Sequence, residues 1–400
     1  MRVALVHGFA REAVPAGENV AVRAQAAALR AAGHEVVLVG RHHEDLAHRP
    51  GHTLRSGVVV ATGHGPDPRT DLRAFGPDVV HVHDLAPHFG TRWLRHWDGP
   101  LVTTVHDLHP LCAAGTLRRA GVRCTDCRTD PWAGVRHGCH RGSRVATLPL
   151  AVAHRHGPAA DPVLTRADRV IAVSRRLVDE YAAAGVDTTR FVVVPDAVLD
   201  AGPVDLPPSV AADRAGRWLV VGRLGPGRGL RTLVASWPRG RRLDVVGDGE
   251  LTAALTRAAP PDVRLLGSRT NAEVRGLLPG HAGLLVTGGS PDAGPPLAYV
   301  EALAAGVPVV AVAGTGAAED VARHGTGVVV GPRPGRGELD AALAAVTARR
   351  AAYGARARGE FDRRFSPGVW VRDLVDVYDA AIHAAGRGRA AAPSFSPVGT

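Results

Sequence analysis

Two arginines lie on either side of a glycine-rich turn in the second half of the chain. The run VVGRLGPGRGL places Arg223 at the end of a short apolar segment and Arg228 five residues later, at the start of a predicted helix. The glycines at positions 225, 227 and 229 do not have the G-x-G-x-x-G spacing of a dinucleotide-binding loop. Two guanidinium groups beside a helix N-terminus are suited to binding a diphosphate. The alternative is a glycine-rich turn with two solvated arginines.

All the cysteines of the chain lie within one short segment, at Cys112, Cys124, Cys127 and Cys139. A cluster with one C-x-x-C, in a chain that uses cysteine nowhere else, favours a metal site over disulfides. Structural zinc held by four thiolates is the first expectation, with His137 or His140 as a substitute for one ligand. Free or redox-active thiols, disulfides and an iron–sulfur cluster are the alternatives.

The composition restricts the partners of the protein. The chain has 400 residues, a net charge of +10 and 48 basic residues, all of them arginine. The arginines are scattered, only 4% of residues are aromatic, and no nucleic-acid motif surrounds them, so nucleic acid is not an expected partner. No apolar run is long enough to span a membrane, and the N-terminus MRVALVHGF is typical of a strand rather than a signal peptide. We therefore expect a cytoplasmic protein, and the positive charge leaves open a peripheral contact with anionic lipid at the inner membrane face.

In the first half of the chain, runs rich in β-branched residues alternate with alanine-rich segments. The predicted strands are RVALVHGF, EVVLVG, DVVHVHD, LVTTVHD, RVIAVS and RFVVVP. The segment GENVAVRAQAAALRAAGHE is a predicted helix that ends at Gly33. We expect His81 and His83 in the core or on the floor of a cleft, and Ser174 as a helix cap. Continuous apolar strands that alternate with helices predict a parallel sheet covered on both faces.

The same alternation begins again after a stretch rich in Pro, Gly and Ala. The second set of predicted strands is RWLVVGRL, RLDVVGDG, VRLLGS, HAGLLVTGG, VPVVAVAG and TGVVVGP. The fold class is therefore α/β, with two doubly wound Rossmann-like domains whose strand ends face each other across a cleft. The predicted divisions are a first domain over 1–198 with a cysteine-bearing insertion over 112–140, a linker over 199–216, a second domain over 217–365, a C-terminal helix over 366–385 that packs back on the first domain, and a disordered tail over 386–400.

The order of the motifs resembles one enzyme family. GRLGPGRGL, LDVVGDGE, VRLLGS, a Pro-rich loop, EALAAGVPVVA and AGTGAAEDV follow one another in the second domain. In the first domain PAGENVAVRAQAAALRAAGHEVVLV, PDVVHVHDL, TVHDLHPLC and VIAVSRRL match as well. Over roughly residues 1–380 the sequence resembles retaining glycosyltransferases of family 4, which have the GT-B fold. PWAGVRHGCHRGS resembles a subset of that family with a cysteine-bearing insertion.

The resemblance implies the transfer of a sugar from a nucleotide diphosphate sugar to a hydroxyl acceptor, with retention of the anomeric configuration and without a catalytic metal. It assigns to Arg223 and Arg228 the stabilisation of the diphosphate leaving group by preorganised charge. The family usually has lysine at the second position, and Arg228 keeps the charge while changing the hydrogen-bonding geometry. UDP is the expected nucleotide and GDP the next, and the acceptor is expected to be a small molecule, a lipid-linked intermediate or a glycan.

Two residues of the first domain are implied in donor binding. Gly17 precedes a predicted helix, and a backbone without a Cβ can approach a phosphate or sugar closely. His106 follows the strand LVTTV, where a histidine of the family faces the donor sugar near the anomeric carbon. The alternatives are a simple turn glycine and a structural or solvated histidine. Glu18 and Asn19 are expected to begin the helix rather than to bind a ligand.

The loop SPDAGPP leads into a helix that carries Glu301. A carboxylate there can accept two hydrogen bonds from a ribose diol, and the backbone amides near Leu297 and Ala298 would point at the diphosphate. The alternative is a solvated glutamate in the first turn, favoured by the helix dipole.

The same loop departs from the family at one position. Family members carry a first glutamate eight positions before the second, and here that position is Ala293. Three explanations are open: Asp292 or a backbone group compensates, the donor sugar is unusual, or turnover is lost. An active transferase and a catalytically impaired sugar-nucleotide-binding protein therefore remain alternatives. A different GT-B enzyme, such as a sugar-nucleotide epimerase, is disfavoured by the arginine pair and the cysteine insertion.

Overall fold

The computed structural model describes residues 1–10, 17–120, 122–199, 207, 209, 213–214, 216–225, 228–288 and 294–390. Two parallel six-stranded sheets organise this part of the chain, one in each half. Asp292, Ala293 and most of the predicted linker over 199–216 lie outside the described residues. None of the helices in the described ranges combines the length and apolar character needed to cross a membrane.

The first sheet has the strand order β2-β1-β3-β4-β7-β8, and all its pairs are parallel. The strands of the first half are β1 (Arg2–Phe9), β2 (Glu35–His42), β3 (Val79–Val82), β4 (Leu101–Val105), β5 (Arg118–Arg119), β6 (Val122–Arg123), β7 (Arg169–Ala172) and β8 (Phe191–Val193). Strands β5 and β6 form a separate antiparallel hairpin within the predicted cysteine insertion. The central strands β1, β3 and β4 are buried on both faces because helices cover both sides of the sheet.

Helices of varied length connect these strands. They span Gly17–Ala31, Glu44–Ala47, His52–Thr62, Arg69–Phe75, Ala133–His137, Arg144–Ala153, Pro162–Arg166 and Arg175–Ala183, with 3₁₀ turns at Arg92–His96, Asp126–Arg128 and Pro158–Ala160. Two predicted helix ends are confirmed. Gly33 has a φ of +86°, a left-handed conformation that suits the end of the first helix, and Ser174 Oγ accepts a hydrogen bond from the Leu177 amide at 3.1 Å.

The second sheet has the strand order β11-β10-β9-β12-β13-β14 and is also parallel throughout. Its strands are β9 (Arg217–Val221), β10 (Arg242–Val246), β11 (Val263–Gly267), β12 (Gly283–Val286), β13 (Val309–Val312) and β14 (Gly327–Val330). Its helices span Leu230–Ala235, Thr252–Ala258, Asn271–Leu277, Leu297–Ala304, Ala318–His324, Arg336–Ala348 and Arg350–Arg364. Two buried clusters lie against this sheet, one containing Trp218 and Trp237 and the other containing Tyr299 and Phe361.

The last helix, Pro367–Ala390, returns to the first half of the chain. Trp370, Leu374 and Tyr378 are buried in one cluster with Val3 of β1 and Val79 of β3. The helix continues through residues 386–390, so the predicted disorder from residue 386 is wrong for these five positions. Arginine and alanine favour helix, and each residue added to a helix already anchored by packing gains a backbone hydrogen bond. Residues 391–400 of the predicted tail lie outside the described residues.

Each sheet has one topological switch point, where the chain stops adding strands on one side and begins to add them on the other. In the first sheet this place lies between β1 and β3, and in the second it lies between β9 and β12. Ligands of doubly wound sheets bind outside the carboxyl ends of the strands at such positions. The two edges approach each other: a methyl group at Gly17 would lie 3.6 Å from Cδ1 of Leu297, and one at Gly294 would lie 3.0 Å from Cβ of Ser174. The predicted cleft between two facing domains is therefore present.

Candidate active site

The arginine pair lies at the carboxyl end of β9. Arg223 is exposed, and Arg228 is half-buried immediately before the helix Leu230–Ala235. A methyl group at Gly288, which follows β12, would lie 2.7 Å from Cβ of Arg228, so the loops after β9 and β12 pack around this side chain. Burial and the neighbouring charge of Arg223 lower the pKa of Arg228. Neither guanidinium has a hydrogen bond or ion pair with a described residue, so this edge combines two uncompensated cations.

The helix Leu297–Ala304 begins at the same edge. Pro296 precedes it and provides no side-chain cap, and its carbonyl accepts hydrogen bonds from the amides of Tyr299 and Val300. Within the described residues, the amides of Leu297 and Ala298 donate to no carbonyl, as is usual for the first turn of a helix. Leu297 faces Gly17 of the first domain. The structure thus brings together two predicted donor-site residues from opposite sides of the cleft.

Glu301 lies in the second turn of this helix and is only 3% exposed. The alternative of a solvated first-turn glutamate is therefore wrong, because the helix begins at Leu297 and its second turn packs against the helix Asn271–Leu277. Burial raises the pKa of Glu301 to about 7, against the opposing effects of Arg275 and Asn271. Its Oε1 atom lies 3.9 Å from Nη1 of Arg275 and has no hydrogen-bond partner among the described residues. A buried carboxylate oxygen without a partner is costly unless a ligand supplies hydrogen-bond donors.

On the first-domain side, His106 follows β4 and is held by two side chains. Its Nδ1 lies 3.3 Å from Oδ2 of Asp196, and its Nε2 lies 3.0 Å from Nδ1 of His83. Burial disfavours the charged form, but Asp196, Asp84 and Glu18 outweigh it and raise the pKa of His106 to about 9. The ring is therefore an imidazolium at neutral pH that donates to both neighbours. Sequence reasoning missed Asp196, which comes 90 residues later, just after β8.

A row of stacked histidines extends from His106 into the core. The ring centroids of His106 and His83 are 5.3 Å apart, and those of His83 and His81 are 4.3 Å apart. Burial lowers the pKa of His81 to about 3 and that of His83 well below its ordinary value, so both rings are neutral. His81 is hydrogen-bonded to the Tyr378 hydroxyl at 2.8 Å and to Oγ1 of Thr104 at 2.7 Å. The last helix, through Tyr378, is therefore connected to the cleft by a chain of polar contacts.

Acidic groups surround the imidazolium. Burial raises the pKa of Asp84, which follows β3, to about 7. Asp107 accepts a hydrogen bond from Nδ1 of His109; burial opposes the charged form of His109, but this bond and the charge of Asp107 raise its pKa to about 9. Sequence reasoning singled out none of these groups. A partly protonated carboxyl beside cationic rings makes this face of the cleft suited to binding hydroxyl groups.

The four cysteines are free thiols in one region of the first domain. A hydrogen bond from Cys127 lowers the pKa of Cys112 to about 5. Burial opposes this shift in pKa, and the backbone groups of Thr116, Ala114 and Leu117 favour it. The charges of Cys112 and Cys124 act on Cys139, so all four lie near one another. Among the described residues, however, no three His, Cys, Asp or Glu side chains are arranged to hold a metal ion.

Two family models match the chain, one in each half. A model described as Glycosyltransferase Family 4 matches residues 15–199, and one described as Glycosyl transferases group 1 matches residues 215–348. The comparison with curated proteins returns no match.

Solved structures of similar fold cover almost the whole chain. Sucrose-phosphate synthase from Thermosynechococcus elongatus is 17% identical with a TM-score of 0.67, covering 96% of this chain and 99% of its own. A glycosyltransferase from Rickettsia africae is 14% identical with a TM-score of 0.62, covering 95% and 98%. HepE from Anabaena, in complex with UDP-glucose, is 17% identical with a TM-score of 0.58, covering 95% and 100%. The architecture is thus the GT-B fold, and with both family models matching in chain order the chain belongs to the family 4-like glycosyltransferases.

Proposed function

We propose that this glycosyltransferase is a retaining enzyme that transfers a sugar from a UDP-sugar to a hydroxyl acceptor. The observation that carries the proposal is the pair Arg223 and Arg228, two cations without an acidic partner among the described residues, at the switch point of the second sheet. Charge-assisted hydrogen bonds from such groups suit a diphosphate. The nearby amides of Leu297 and Ala298 would add the positive end of a helix.

In the proposed reaction, the bond between the anomeric carbon and the diphosphate oxygen breaks, and the acceptor oxygen bonds to that carbon. The negative charge that develops on the diphosphate would be stabilised by Arg223 and Arg228 without reorganisation at the moment of reaction. His106 is an imidazolium, so it cannot take the proton of the acceptor hydroxyl. His106 would instead supply positive charge and orient the donor sugar. The departing phosphate oxygen or Asp84 would accept the proton of the acceptor hydroxyl.

The buried Glu301 is the proposed ligand of the nucleotide ribose. Its Oε1 has no hydrogen-bond partner among the described residues, which matches the need of a diol for an acceptor, and Gly17 leaves space for the donor beside Leu297. UDP is favoured because HepE was solved with UDP and UDP-glucose, and TarM of S. aureus with UDP. The acceptor is proposed to be a small molecule, a lipid-linked intermediate or a glycan. No catalytic metal is proposed, because two arginines can supply the positive charge that a divalent ion would otherwise bring to the diphosphate.

A second candidate function follows from one departure from the family pattern. Ala293 replaces the first glutamate of the loop, so a protein that binds a sugar nucleotide without turning it over is the alternative. The two functions differ in a single measurement. An active enzyme releases nucleotide from its donor, whereas the alternative binds the donor and leaves it intact.

The test is a panel of UDP- and GDP-sugars, first by thermal shift and then by nucleotide release with and without acceptors. Arg228→Ala should weaken UDP binding by roughly 10- to 100-fold, the loss of one or two charge-assisted hydrogen bonds. Arg239→Ala is the matched control, since Arg239 is exposed and lies outside the cleft edge. Equal UDP affinity in the two variants would refute the site. Proton NMR of the product reports retention at the anomeric carbon, and activity in EDTA reports metal independence.

A further inference from the structure

Large apolar side chains are exposed on two neighbouring helices of the first domain. Leu54 and Val58 on the helix His52–Thr62 are 75% and 49% exposed, and Val145 and Leu148 on the helix Arg144–Ala153 are 81% and 45% exposed. The helices are in contact, because a methyl group at Gly57 would lie 3.4 Å from Cγ of Pro149. We call these four residues, together with Trp132, the apolar patch.

Trp132 extends the patch beyond the two helices. It is 43% exposed and lines an open surface depression with Val135, Arg136 and Arg144. Seven large hydrophobic side chains are exposed within the described part of the chain, and five of them belong to the apolar patch. Such a concentration differs from the scattered exposed apolar residues of an ordinary surface.

Core packing does not account for the apolar residues of the first of these helices. The helix His52–Thr62 has no buried residue over its 11 positions, although it carries Leu54 and three successive valines. A surface helix normally directs its apolar stripe into the core. Here part of that stripe faces solvent, which indicates that another surface covers it.

The charge around the apolar patch is mostly positive, with Asp130 as an exception: it accepts a hydrogen bond from the Trp132 amide and pairs with Arg136. No Asp or Glu occurs between positions 46 and 66 or between 131 and 160, although 38 of the 400 residues are acidic, about one in ten. Arg49, Arg55, Arg141 and Arg144 are exposed in these two segments, and none has an acidic partner among the described residues. The patch is therefore an apolar surface with a cationic rim.

We propose that the apolar patch docks the protein on a membrane surface containing anionic phospholipid. Apolar side chains can enter the boundary between headgroups and acyl chains while arginines attract the lipid phosphates. An exposed tryptophan suits this boundary, because its ring is apolar and its N–H is polar. A second copy of the chain fits less well, since it would bring two cationic rims together. Nucleic acid does not match the apolar centre.

The test is flotation of the full-length protein with vesicles. At low ionic strength the protein should float with vesicles of equal parts phosphatidylcholine and phosphatidylglycerol, and not with phosphatidylcholine alone. Molar salt should release most of it, because the attraction of the arginines is screened. Absence of flotation with the anionic vesicles at low salt would overturn the proposal.

Paired variants locate the binding surface. Leu54→Glu combined with Val145→Glu should reduce vesicle affinity by about tenfold or more, because both side chains lose apolar burial and meet anionic lipid. Val122→Glu is the control, since Val122 is 69% exposed on the hairpin β5–β6 outside the two helices and should change affinity by less than about twofold. Unchanged flotation of the double variant, or equal loss in the control, would contradict the proposal.

Two further measurements separate other outcomes. Circular dichroism melting establishes that the substituted, exposed positions leave the fold intact. Sedimentation at several concentrations tests for self-association. If the wild type forms a dimer that the double variant abolishes, and the wild type does not bind vesicles, the patch would be assigned to a second copy and the membrane proposal would be overturned. Vesicle binding does not require turnover, so this result is independent of the proposed transferase activity.

Discussion

The substitution Glu301→Gln should stabilise the ligand-free protein while weakening nucleotide binding. Glu301 is 3% exposed, and burial raises its pKa from an ordinary 4.5 to about 7. A difference in pKa of one pH unit corresponds to about 1.4 kcal/mol, so the ionised side chain costs the folded state about 3 kcal/mol. Glutamine has nearly the same shape and carries no charge, so the variant avoids this cost.

The sign of the effect depends on pH. Below pH 4.5 the carboxyl is protonated in both the folded and the unfolded protein, and Glu301 contributes no pH dependence. Between pH 4.5 and about 7 the unfolded chain releases its proton first, so the wild type loses stability as pH rises. Above that range the loss is complete. The advantage of the variant should therefore grow from near zero at pH 4 to about 3 kcal/mol at pH 8.

Urea unfolding of wild type and variant at several pH values measures this difference, because the other titrating groups are common to both proteins and cancel. Isothermal titration with UDP measures the second effect, which should be a loss of roughly 10- to 100-fold in affinity if the carboxylate accepts the ribose hydroxyls. Proton release on UDP binding near pH 7 should accompany binding to the wild type and be absent from the variant.

Glu319→Gln is the matched control, since that carboxylate is 57% exposed on the helix Ala318–His324 and should alter neither quantity. A stability difference that stays constant from pH 4 to pH 8 would refute the argument that Glu301 is a strained buried carboxyl. Unchanged UDP affinity, with the stability effect present, would refute only its role as ribose ligand.

Other predictions address the first domain, the loop and the cysteines. Asp196→Asn should lower the pKa of His106 from about 9, since Asp196 contributes most to raising it. In the wild type, the pair of Asp196 and His106 stabilises the fold below pH 6.5, and this stabilisation is lost as pH rises to about 9. NMR titration of the ring checks this, and an unchanged pKa would contradict the assignment. Ala293→Glu should change donor preference or rate in the nucleotide-release assay, and an identical donor profile would show that the position does not meet the sugar. If Cys112, Cys124, Cys127 and Cys139 hold zinc, protein purified without added metal should contain about one equivalent of zinc, which Cys112→Ser should reduce, and less than about a tenth of an equivalent would refute the site.

The sequence was sufficient to predict elements that depend on local pattern. The apolar runs correspond to the strands of the two parallel sheets, and the caps at Gly33 and Ser174 are where their residue types favour them. The resemblance added the family and the two-domain fold, which the family models and similar structures bear out. The roles assigned to Arg223 and Arg228 stay predictions, although the structure places both at the strand ends where ligands of such sheets bind.

Only the tertiary structure decided which charges act on one another. Asp196 lies 90 residues beyond His106 and reaches it because β4 and β8 belong to the same parallel sheet with β7 between them. Glutamate in a helix is usually solvated. Packing against Asn271–Leu277 nevertheless buries Glu301 and changes its pKa. Protonation depends on burial and on charges brought close by folding, whereas sequence pattern reports mainly backbone preference and apolar periodicity. The sequence alone therefore predicted what kind of site to expect, and the packing of distant segments determined its electrostatics.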